Sequence, residues 1–334
     1  ELAALGMAIG AGWSGARAMT STSGPGISLM AEFTGFGYYA EIPVVIFDIQ
    51  RIGPSTGLPT RTSQGDLGFV ATLSHGDTRH PILLPGTVEE AFEFGMEAFD
   101  IADRLQTPVF VLSDLDLGMN LWMSRPFSYP ETGFDRGKVL GRDELERLEG
   151  QWGRYRDVDG DGIPYRTLPG TEHPAAAYFT RGSGHDENAR YTESAEVYAA
   201  NMDRLARKFE TARKLVPEPL LQGPGDARIG LIAFGTTHHA VVEAMDELAA
   251  DGIRVDYMRI RALPLTEGVA EFIDGHERCY VIEQNRDGQL YDQLRLAVAP
   301  ELVGRLRSIR HYDGRPIPAQ SITRPLRELE AILA

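Results

Sequence analysis

Short apolar runs rich in β-branched residues alternate along the chain with longer segments whose apolar residues recur at helical spacing. In the first third of the chain the strand-like runs are 17–23, 42–48, 81–85 and 109–114. The helix-like segments between them are 1–12, 27–39 and 87–104. Strands separated by helices in this way are typical of a parallel sheet covered by helices on both faces. The pattern therefore predicts an α/β domain over residues 1–125.

A second alternation follows nearer the C-terminus. Its predicted strands are 228–234, 254–259, 279–283 and 307–310, and its predicted helices are 240–250, 266–274 and 323–333. An irregular stretch rich in proline, glycine and aromatic residues precedes it, followed by a long amphipathic helix, 193–215. Closely spaced prolines and glycines at 217–226 are typical of a linker. We therefore expect a domain at 1–125, an insertion with a connecting helix at 126–222, and a second α/β domain at 223–334.

Charge and cysteine content narrow the classes of function. The 334-residue chain carries a net charge of −15, which disfavours nucleic acid or an acidic membrane surface as a partner. Its single cysteine, Cys279, excludes an internal disulfide framework and a cluster held by four of its own cysteines. Because Cys279 lies within an apolar strand, we expect a core residue rather than a nucleophile. No apolar stretch approaches the ~20 residues needed to cross a bilayer, and no signal peptide is evident, so the cytoplasm is the simplest compartment.

The first residues already have helical spacing. The chain begins at Glu1, and no capping residue precedes the apolar stripe of residues 1–9. A helix normally opens with such a residue. We therefore expect the sequence to begin inside a domain, with residues missing upstream; a chain trimmed at this point is the alternative.

The most informative polar stretch is Gln50–Asp66, which follows the second predicted strand. Ligands of parallel α/β sheets bind beyond the carboxyl ends of the strands. Arg51 therefore lies where a small anion would be held, and an arginine fork pairs a carboxylate through two hydrogen bonds. Its hydroxyl-bearing neighbours in the stretch include Ser55, Thr56 and Thr60. The alternative is a structured surface loop whose arginine makes an ordinary salt bridge.

Weaker candidates lie elsewhere. The turn Gly24-Pro-Gly26 leads into a predicted helix and exposes backbone N–H groups, which favours an anionic or polar ligand. Glycine turns between a strand and a helix are also common without any ligand. His75 and His185 lie in polar loops and are candidates for substrate contact, although a lone loop histidine is more often simply solvated.

Two motifs within 157–162 begin like metal sites. Asp157-Val-Asp-Gly-Asp-Gly162 has the opening of a calcium loop, but the twelfth position, which needs a bidentate carboxylate, is Leu168. Gly160-Asp-Gly162 also begins the magnesium–diphosphate motif of thiamine enzymes. That motif should follow a hydrophobic strand, whereas polar residues 154–157 precede it here. No metal site is therefore predicted in this chain.

Three parts of the sequence together carry a family resemblance. They are Glu1-Leu-Ala-Ala-Leu-Gly-Met-Ala-Ile-Gly10 with Thr20-Ser-Thr-Ser-Gly-Pro-Gly26, then Gln50-Arg-Ile-Gly-Pro-Ser-Thr-Gly57, then Val281-Ile-Glu-Gln-Asn-Arg-Asp-Gly-Gln289. With them the chain resembles, over nearly its whole length, the alpha subunit of 2-oxoacid:ferredoxin oxidoreductases, most closely the 2-oxoglutarate type. The middle part is the specific one.

The resemblance implies a thiamine-diphosphate-binding fold, with a pyrimidine-binding domain first and a domain of the transketolase C-terminal type second. It implies thiamine diphosphate shared with a beta subunit, which would carry the diphosphate-binding domain, Mg²⁺ and a [4Fe–4S] cluster. Coenzyme A would be the co-substrate and ferredoxin the electron acceptor, in a dimer of alpha–beta pairs. The active site would then form between chains, and the alpha subunit alone would be inactive.

The resemblance also implies roles for residues of this chain. Glu1 matches the catalytic family glutamate beside the aminopyrimidine ring, where a buried carboxylate with a raised pKa would share a proton with the ring. Arg51 matches the arginine that holds the 2-oxoacid carboxylate, and Thr60 matches a threonine of the same pocket. A Tyr-Pro-Ile-Thr segment that family members carry upstream, in many of them after a fused gamma domain, does not occur in this sequence.

Other positions follow from the same resemblance. The residues expected to contact the cofactor are Thr22, Ser23 and Gly24. Loop 284–289 is expected at an interface or beside the cofactor. The implied reaction is oxidative decarboxylation of 2-oxoglutarate with coenzyme A to succinyl-CoA and CO₂, or the reverse carboxylation. Another 2-oxoacid, such as pyruvate or a branched-chain one, and a non-catalytic scaffold subunit of the same fold are the alternatives.

Overall fold

The computed structural model describes residues 1–131 and 133–333. Within them, two β-sheets are flanked by helices. The strands are β1 (Met19–Thr22), β2 (Val44–Ile52), β3 (Leu58–Thr62), β4 (Ile82–Leu83), β5 (Pro108–Asp114), β6 (Leu220–Gln222), β7 (Ile229–Phe234), β8 (Val255–Ile260), β9 (Ala262–Leu263), β10 (Arg278–Glu283) and β11 (Leu306–Arg310). The helices are α1 (Leu2–Trp13), α2 (Gly24–Tyr39), α3 (Leu67–Ala71), α4 (Val88–Leu105), α5 (Leu115–Met119), α6 (Arg142–Arg147), α7 (Ala195–Ala212), α8 (Thr237–Ala250), α9 (Glu267–Gly275), α10 (Gln289–Ala297), α11 (Pro300–Val303) and α12 (Gln320–Leu333).

The first sheet has the strand order β1-β2-β5-β4-β9, and β3 pairs with β2 outside this path. Neighbours among β1, β2, β5 and β4 are parallel, whereas β3 and β9 are antiparallel to their partners. Thr22 is the register partner of Asp48, and Gln50 is the partner of Asp114. The ends of β1, β2 and β5 therefore meet at one side of the sheet, which we call the carboxyl edge.

The second sheet has the order β11-β10-β7-β8-β6 and is parallel except for β6. The chain then contributes β9 to the first sheet, where it pairs with β4. The linker predicted at 217–226 is wrong in part, because Leu220–Gln222 pairs antiparallel with β8 as an edge strand. An edge strand tolerates the flanking prolines and glycines that suggested a linker.

The two sheets share one buried apolar core. It contains Phe110 of the first sheet together with Ile232 and Val281 of the second, and each of the three side chains is fully buried. Burial of one such side chain contributes about 1.5–3 kcal/mol. Cys279 belongs to the same core, and burial raises the pKa of its thiol to about 12, which confirms the prediction of a core residue. The core therefore holds the sheets against each other.

The elements predicted from apolar spacing are present at nearly their expected positions, and the α/β class is confirmed. The short helices α3, α5, α6 and α11 were not predicted, nor was α10 directly after loop 284–289. In the described part of the chain, no helix has the length and apolar character needed to span a membrane. The division near residues 125 and 222 stays a prediction.

The calcium-like motif is occupied by a protein cation. Lys138 Nζ lies 2.6 Å from the Asp159 carboxylate and 2.8 Å from that of Asp161. Asp157 instead accepts hydrogen bonds from the backbone N–H groups of Gly160 and Gly162. Among the described residues, no group of three or more His, Cys, Asp or Glu side chains is placed to hold a metal ion.

A buried ion cluster joins α7 to the first sheet. The fully buried Glu41, between α2 and β2, pairs with Arg204 and with Lys208, whose Nζ lies 2.8 Å from its carboxylate. Burial alone would raise the pKa of Glu41, but the two cations outweigh it and lower the pKa to about 2. Burial lowers the pKa of Lys208 to about 8, so all three groups are charged at neutral pH.

Replacing Glu41→Gln should lower the free energy of unfolding by about 3–5 kcal/mol, because two buried cations lose their counter-charge. Since the folded pKa lies below the unfolded value, the stabilisation is present above about pH 4.5 and is lost as the pH falls towards 2. Denaturant unfolding at pH 7 and pH 3 measures both effects. Glu146→Gln, in an exposed pair with Arg142, is the control and should change stability by less than about 0.5 kcal/mol. Equal effects of the two substitutions would contradict the account.

Candidate active site

Glu1 lies beside the first turn of α2 at the carboxyl edge. A Cβ atom built on Gly26 would lie 2.8 Å from Glu1 Cγ and closer still to Thr22 Oγ1. Only glycine therefore fits at position 26, and its small size allows Glu1 and Thr22 to approach each other. Glu1 is exposed in this chain, which differs from the buried carboxylate that the family resemblance implies.

Helix α2 directs its N-terminus to the same edge. Ser23 is the N-cap with extended backbone and makes no capping hydrogen bond through its side chain, and Gly24 is the first helical residue. The aligned peptide dipoles of this 16-residue helix give its N-terminus partial positive charge. The structure therefore brings Thr22, Ser23 and Gly24 together with Glu1 at one corner of the sheet.

The stretch expected to be a polar loop is partly a β-hairpin. β2 extends to Ile52, and β3 returns along it with Thr62 opposite Arg51. The loop prediction was therefore wrong for residues 58–62. Pro59 made this segment resemble a loop, although an edge strand tolerates proline. The tip of the hairpin, residues 53–57, is exposed and carries Ser55 and Thr56.

The strands of this hairpin partly bury the side chain of Arg51. Its Nε atom is shielded from solvent and has no hydrogen-bond partner among the described residues. A buried donor without a partner costs about 1–3 kcal/mol. The salt bridge considered from the sequence does not use this atom. Thr60 lies on β3 where its pairing register with β2 shifts, and it is exposed.

A pair of carboxyl groups beneath this corner was missed by sequence reasoning. Asp48, fully buried on β2, neighbours Asp66, and neither oxygen of its carboxyl group has a hydrogen-bond partner among the described residues. Burial, together with the neighbouring Asp66, raises the pKa of Asp48 well above its usual range, and burial raises the pKa of Asp66 to about 6. The raised pKa values favour a protonated carboxyl group in this pair over two adjacent buried charges. The sequence feature that could have revealed this pair is Asp48, an aspartate at the end of the otherwise apolar predicted strand 42–48.

Asp66 connects this pair to the corner formed by Glu1, Thr22, Ser23 and Gly24. A Cβ atom on Gly24 would lie 2.8 and 2.9 Å from its two carboxylate oxygens, so the carboxylate lies against the N-terminus of α2. That position favours a negative charge. The backbone N–H of Asp66 donates to Gln50 Oε1 at 3.1 Å, one residue before Arg51.

The two histidines lie elsewhere. His75 is exposed, 3.6 Å from the Glu32 carboxylate, in a cleft of about 630 Å³ that Tyr39 also lines. His185 is buried rather than solvated, with Nδ1 2.9 Å from the Ser183 carbonyl and its ring close to Tyr39. Tyr39 ends α2, and at 1.5 Å per residue it lies about 22 Å from Gly24. The structure thus does not place either histidine with Glu1 or Arg51.

Sequence and structure comparisons identify the family. Residues 1–121 match the family described as pyruvate flavodoxin/ferredoxin oxidoreductase, thiamine diP-bdg. The chain is 36% identical over 329 residues to 2-oxoacid:ferredoxin oxidoreductase 2, subunit alpha, of Aeropyrum pernix, covering 95% of this chain and 48% of that protein. It is 32% identical over 327 residues to the 2-oxoglutarate synthase subunit KorA of Methanothermobacter marburgensis, covering 95% and 82%.

The chain belongs to the family of 2-oxoacid:ferredoxin oxidoreductase alpha subunits. It matches the structure of 2-oxoglutarate:ferredoxin oxidoreductase from Magnetococcus marinus, with 2-oxoglutarate, coenzyme A and succinyl-CoA bound, at a TM-score of 0.87 and 28% identity, over 98% of this chain and 55% of that one. A split-gene transketolase shares the fold alone, at a TM-score of 0.50 and 12% identity over 97% of this chain and 79% of that one. The chain spans about half the length of its longer relatives.

These findings confirm the family resemblance and the fold. The first sheet belongs to a thiamine-diphosphate-binding domain, and the curated relatives are described as alpha subunits. Loop 284–289, expected at an interface or beside the cofactor, lies against residues 63–68 of the same chain. The residue assignments at the carboxyl edge stay predictions.

The residues at the corner around Glu1 suit the aminopyrimidine half of thiamine diphosphate. An exposed carboxylate, Glu1, beside a polar turn and a helix N-terminus suits a ring that offers and accepts hydrogen bonds. The cofactor's diphosphate needs a metal site, and the described part of the chain holds no ligand cluster for one. Gly160-Asp-Gly162 does not supply it, because Lys138 pairs with Asp161 there. This chain therefore fits the aminopyrimidine side of the cofactor.

Asp48→Asn should remove a pH dependence of stability. In the wild type the raised pKa values mean that the folded chain holds more protons than the unfolded chain above about pH 4, so stability falls as the pH rises through about 6. The slope reaches about 1.4 kcal/mol per pH unit for each proton. The amide of the variant has no proton to lose by titration. Denaturant unfolding from pH 4.5 to 8 should show the wild type losing stability relative to the variant; parallel curves would contradict the raised pKa of Asp48.

Proposed function

We propose that this chain is the alpha subunit of an enzyme that oxidatively decarboxylates 2-oxoglutarate with coenzyme A to succinyl-CoA and CO₂, passing electrons to ferredoxin, or that runs the reverse carboxylation. The observation that carries the proposal is Arg51, partly buried at the carboxyl edge with a donor that no described residue satisfies. Support for the substrate comes from the KorA relatives and from the bound 2-oxoglutarate of the Magnetococcus marinus enzyme.

Arg51 would bind a substrate carboxylate. Its guanidinium can form two parallel hydrogen bonds, a geometry that fixes direction as well as charge. Thr60 would add a hydroxyl donor from the neighbouring strand, and Ser55 and Thr56 at the exposed hairpin tip would close around the bound acid. Binding at this position would hold the ketone near Glu1, because β1 and β2 are adjacent strands.

Glu1 would hold a proton at a ring nitrogen of the aminopyrimidine. Thiamine diphosphate, when bound, supplies the nucleophilic carbon and the electron sink that decarboxylation of a 2-oxoacid requires. The turn of Thr22, Ser23 and Gly24 would orient the ring beside Glu1. Covering Glu1 with a partner would exclude water from its carboxyl group, which is exposed in this chain.

The partner would be a beta subunit that carries the diphosphate-binding domain, Mg²⁺ and a [4Fe–4S] cluster, in a dimer of alpha–beta pairs in the cytoplasm.

The elements around Glu1 offer this beta subunit an apolar surface. Helix α1 has no charged residue over its 12 positions, and it exposes Met7 by 71%. Leu2, Met19 and Leu29 are also exposed on α1, β1 and α2. Exposed apolar surface of this kind marks interaction sites.

The first test is the substrate. The complex of this chain with its beta subunit, given coenzyme A and a low-potential electron acceptor, should reduce that acceptor faster with 2-oxoglutarate than with pyruvate or a branched-chain 2-oxoacid. A preference for another 2-oxoacid would keep the chemistry and overturn the substrate. No activity with any of them, in a complex shown to contain thiamine diphosphate and its cluster, would favour a scaffold subunit.

Arg51→Ala should lower kcat/KM for the 2-oxoacid by about 30-fold to several thousand-fold, since losing the partner of a bound carboxylate costs about 2–5 kcal/mol. Arg61→Ala is the matched control, because Arg61 lies on the same hairpin and is exposed. Its kinetics should stay within about twofold of the wild type. Similar losses in both variants would show that the hairpin, rather than a carboxylate clamp, is affected.

Met7→Asp should weaken association with the beta subunit at least tenfold, because burial of an apolar side chain contributes about 1.5–3 kcal/mol. Leu296→Asp is the control, on α10 and 83% exposed. Titration calorimetry of the two purified subunits measures the dissociation constant. Unchanged association of the Met7 variant would place the interface elsewhere.

A further inference from the structure

We propose that Gln64 and loop 284–289 position the substrate hairpin, so that the second sheet sets how tightly the 2-oxoacid is held. The inference rests on the proposed function in that it takes the β2–β3 hairpin as the substrate-binding element. Residues 281–289 are the third of the sequence segments that carry the family resemblance. The chemistry proposed for the carboxyl edge gives them no role, and this inference does. In this account Gln64 and Gln289 are positioning residues, since each acts through the hairpin.

Gln64 follows β3 by two residues and is fully buried. Its Nε2 donates to the Phe234 carbonyl at the end of β7, at 3.0 Å. Its Oε1 accepts from Thr237 Oγ1 and from the backbone N–H of Gln284, each at 3.0 Å. One side chain of the first sheet is thus bonded to the ends of two strands of the second and to the start of α8.

The backbone of Gln64 is held as well. Its N–H donates to the Gln284 carbonyl at 2.8 Å, and its carbonyl accepts from Asn285 Nδ2 at 2.9 Å. Ser63 Oγ adds a bond to the same Gln284 carbonyl. Buried amide groups satisfied to this degree fix one conformation, because any shift leaves several donors and acceptors unpaired.

Gln289 likewise bonds the backbone on both sides of Asp66. Its Nε2 donates to the Gly65 carbonyl at 2.6 Å, and its Oε1 accepts from the Gly68 N–H at 2.8 Å. Residues 63–68 are therefore bonded to loop 284–289 on both sides of the carboxyl group that lies against Gly24.

The loop has its own internal support. The Glu283 carboxylate accepts from the N–H groups of Leu290 and Tyr291 at the start of α10, and from Asn285 Nδ2 at 2.6 Å. Asn285 Oδ1 accepts from the Gly288 N–H at 2.8 Å, where φ of +75° favours glycine. The loop is thus a rigid support rather than a flexible cover.

The hairpin depends on this support because its own pairing is sparse. β3 pairs only with β2, and the register shifts between Arg51 and Ile52. At about 3.3 Å per residue, Gln64 lies some 13 Å along the chain from Thr60 and half that from Thr62, the partner of Arg51. A displacement of about 1 Å at a reacting group can cost 100-fold in rate.

The test uses the alpha–beta complex with Gln64→Glu and Gln289→Leu. A carboxylate at position 64 cannot donate to the Phe234 carbonyl, and leucine at 289 cannot bond Gly65 or Gly68. Gln106→Glu is the matched control: Gln106 is also fully buried and donates to a carbonyl, that of Pro164, away from the hairpin. Two readouts are needed, which are steady-state kinetics and hydrogen exchange of peptides covering 50–68.

We expect the Gln64 and Gln289 variants to raise KM for the 2-oxoacid about tenfold or more, with KM for coenzyme A unchanged. We also expect faster exchange within 50–68, whereas the Gln106 variant loses thermal stability and keeps both values. Wild-type KM and wild-type exchange in the Gln64 and Gln289 variants would overturn the inference. A wild-type complex inactive with every 2-oxoacid would overturn the proposed function instead, and the exchange of 50–68 would still decide whether the loop holds the hairpin.

Discussion

The structure depends most on the parallel pairing of β1, β2 and β5. This register places Thr22 beside Asp48 and Gln50 beside Asp114, so that polar groups distant in sequence meet at one edge of an otherwise apolar sheet. Parallel strands require crossover helices, and one of these, α2, directs its N-terminus to the same edge. Glu1 and Thr22 both lie close to Gly26 at this N-terminus, where a side chain would clash with them. The chemistry of the candidate site is thus a consequence of sheet topology.

Two different means hold this edge in place. Burial raises the pKa of both Asp48 and Asp66 beneath the corner, which favours a protonated carboxyl group over two adjacent buried charges. Neutral hydrogen bonds from loop 284–289 then hold the chain on both sides of Asp66. Arg51, Asp48 and Asp66 are the exceptions, because each has a buried side-chain atom that no described residue satisfies. Such a local departure from full hydrogen bonding is typical of binding sites.

Much of the fold could be predicted from apolar spacing, because central parallel strands such as β5 are buried on both faces and read as continuous apolar runs. Glu1, Arg51 and Thr60 could be singled out from motifs of short range. The Asp48–Asp66 pair and the bonds of Gln64 could not, since they join residues up to 221 positions apart through tertiary contacts. Strands β3 and β6 were missed because edge strands carry prolines and polar residues that resemble loops. His185 was misjudged because a polar loop can still be buried by the aromatic rings of Tyr39 and Tyr155.

The central claim is that the carboxyl edge is one half of a cofactor site that a partner subunit completes. Titration calorimetry with thiamine diphosphate and Mg²⁺ tests it most directly, on this chain alone, on the beta subunit alone and on their complex. The account predicts saturable, tight binding by the complex and none measurable by this chain alone. Binding by the isolated chain as tight as that of the complex would contradict it.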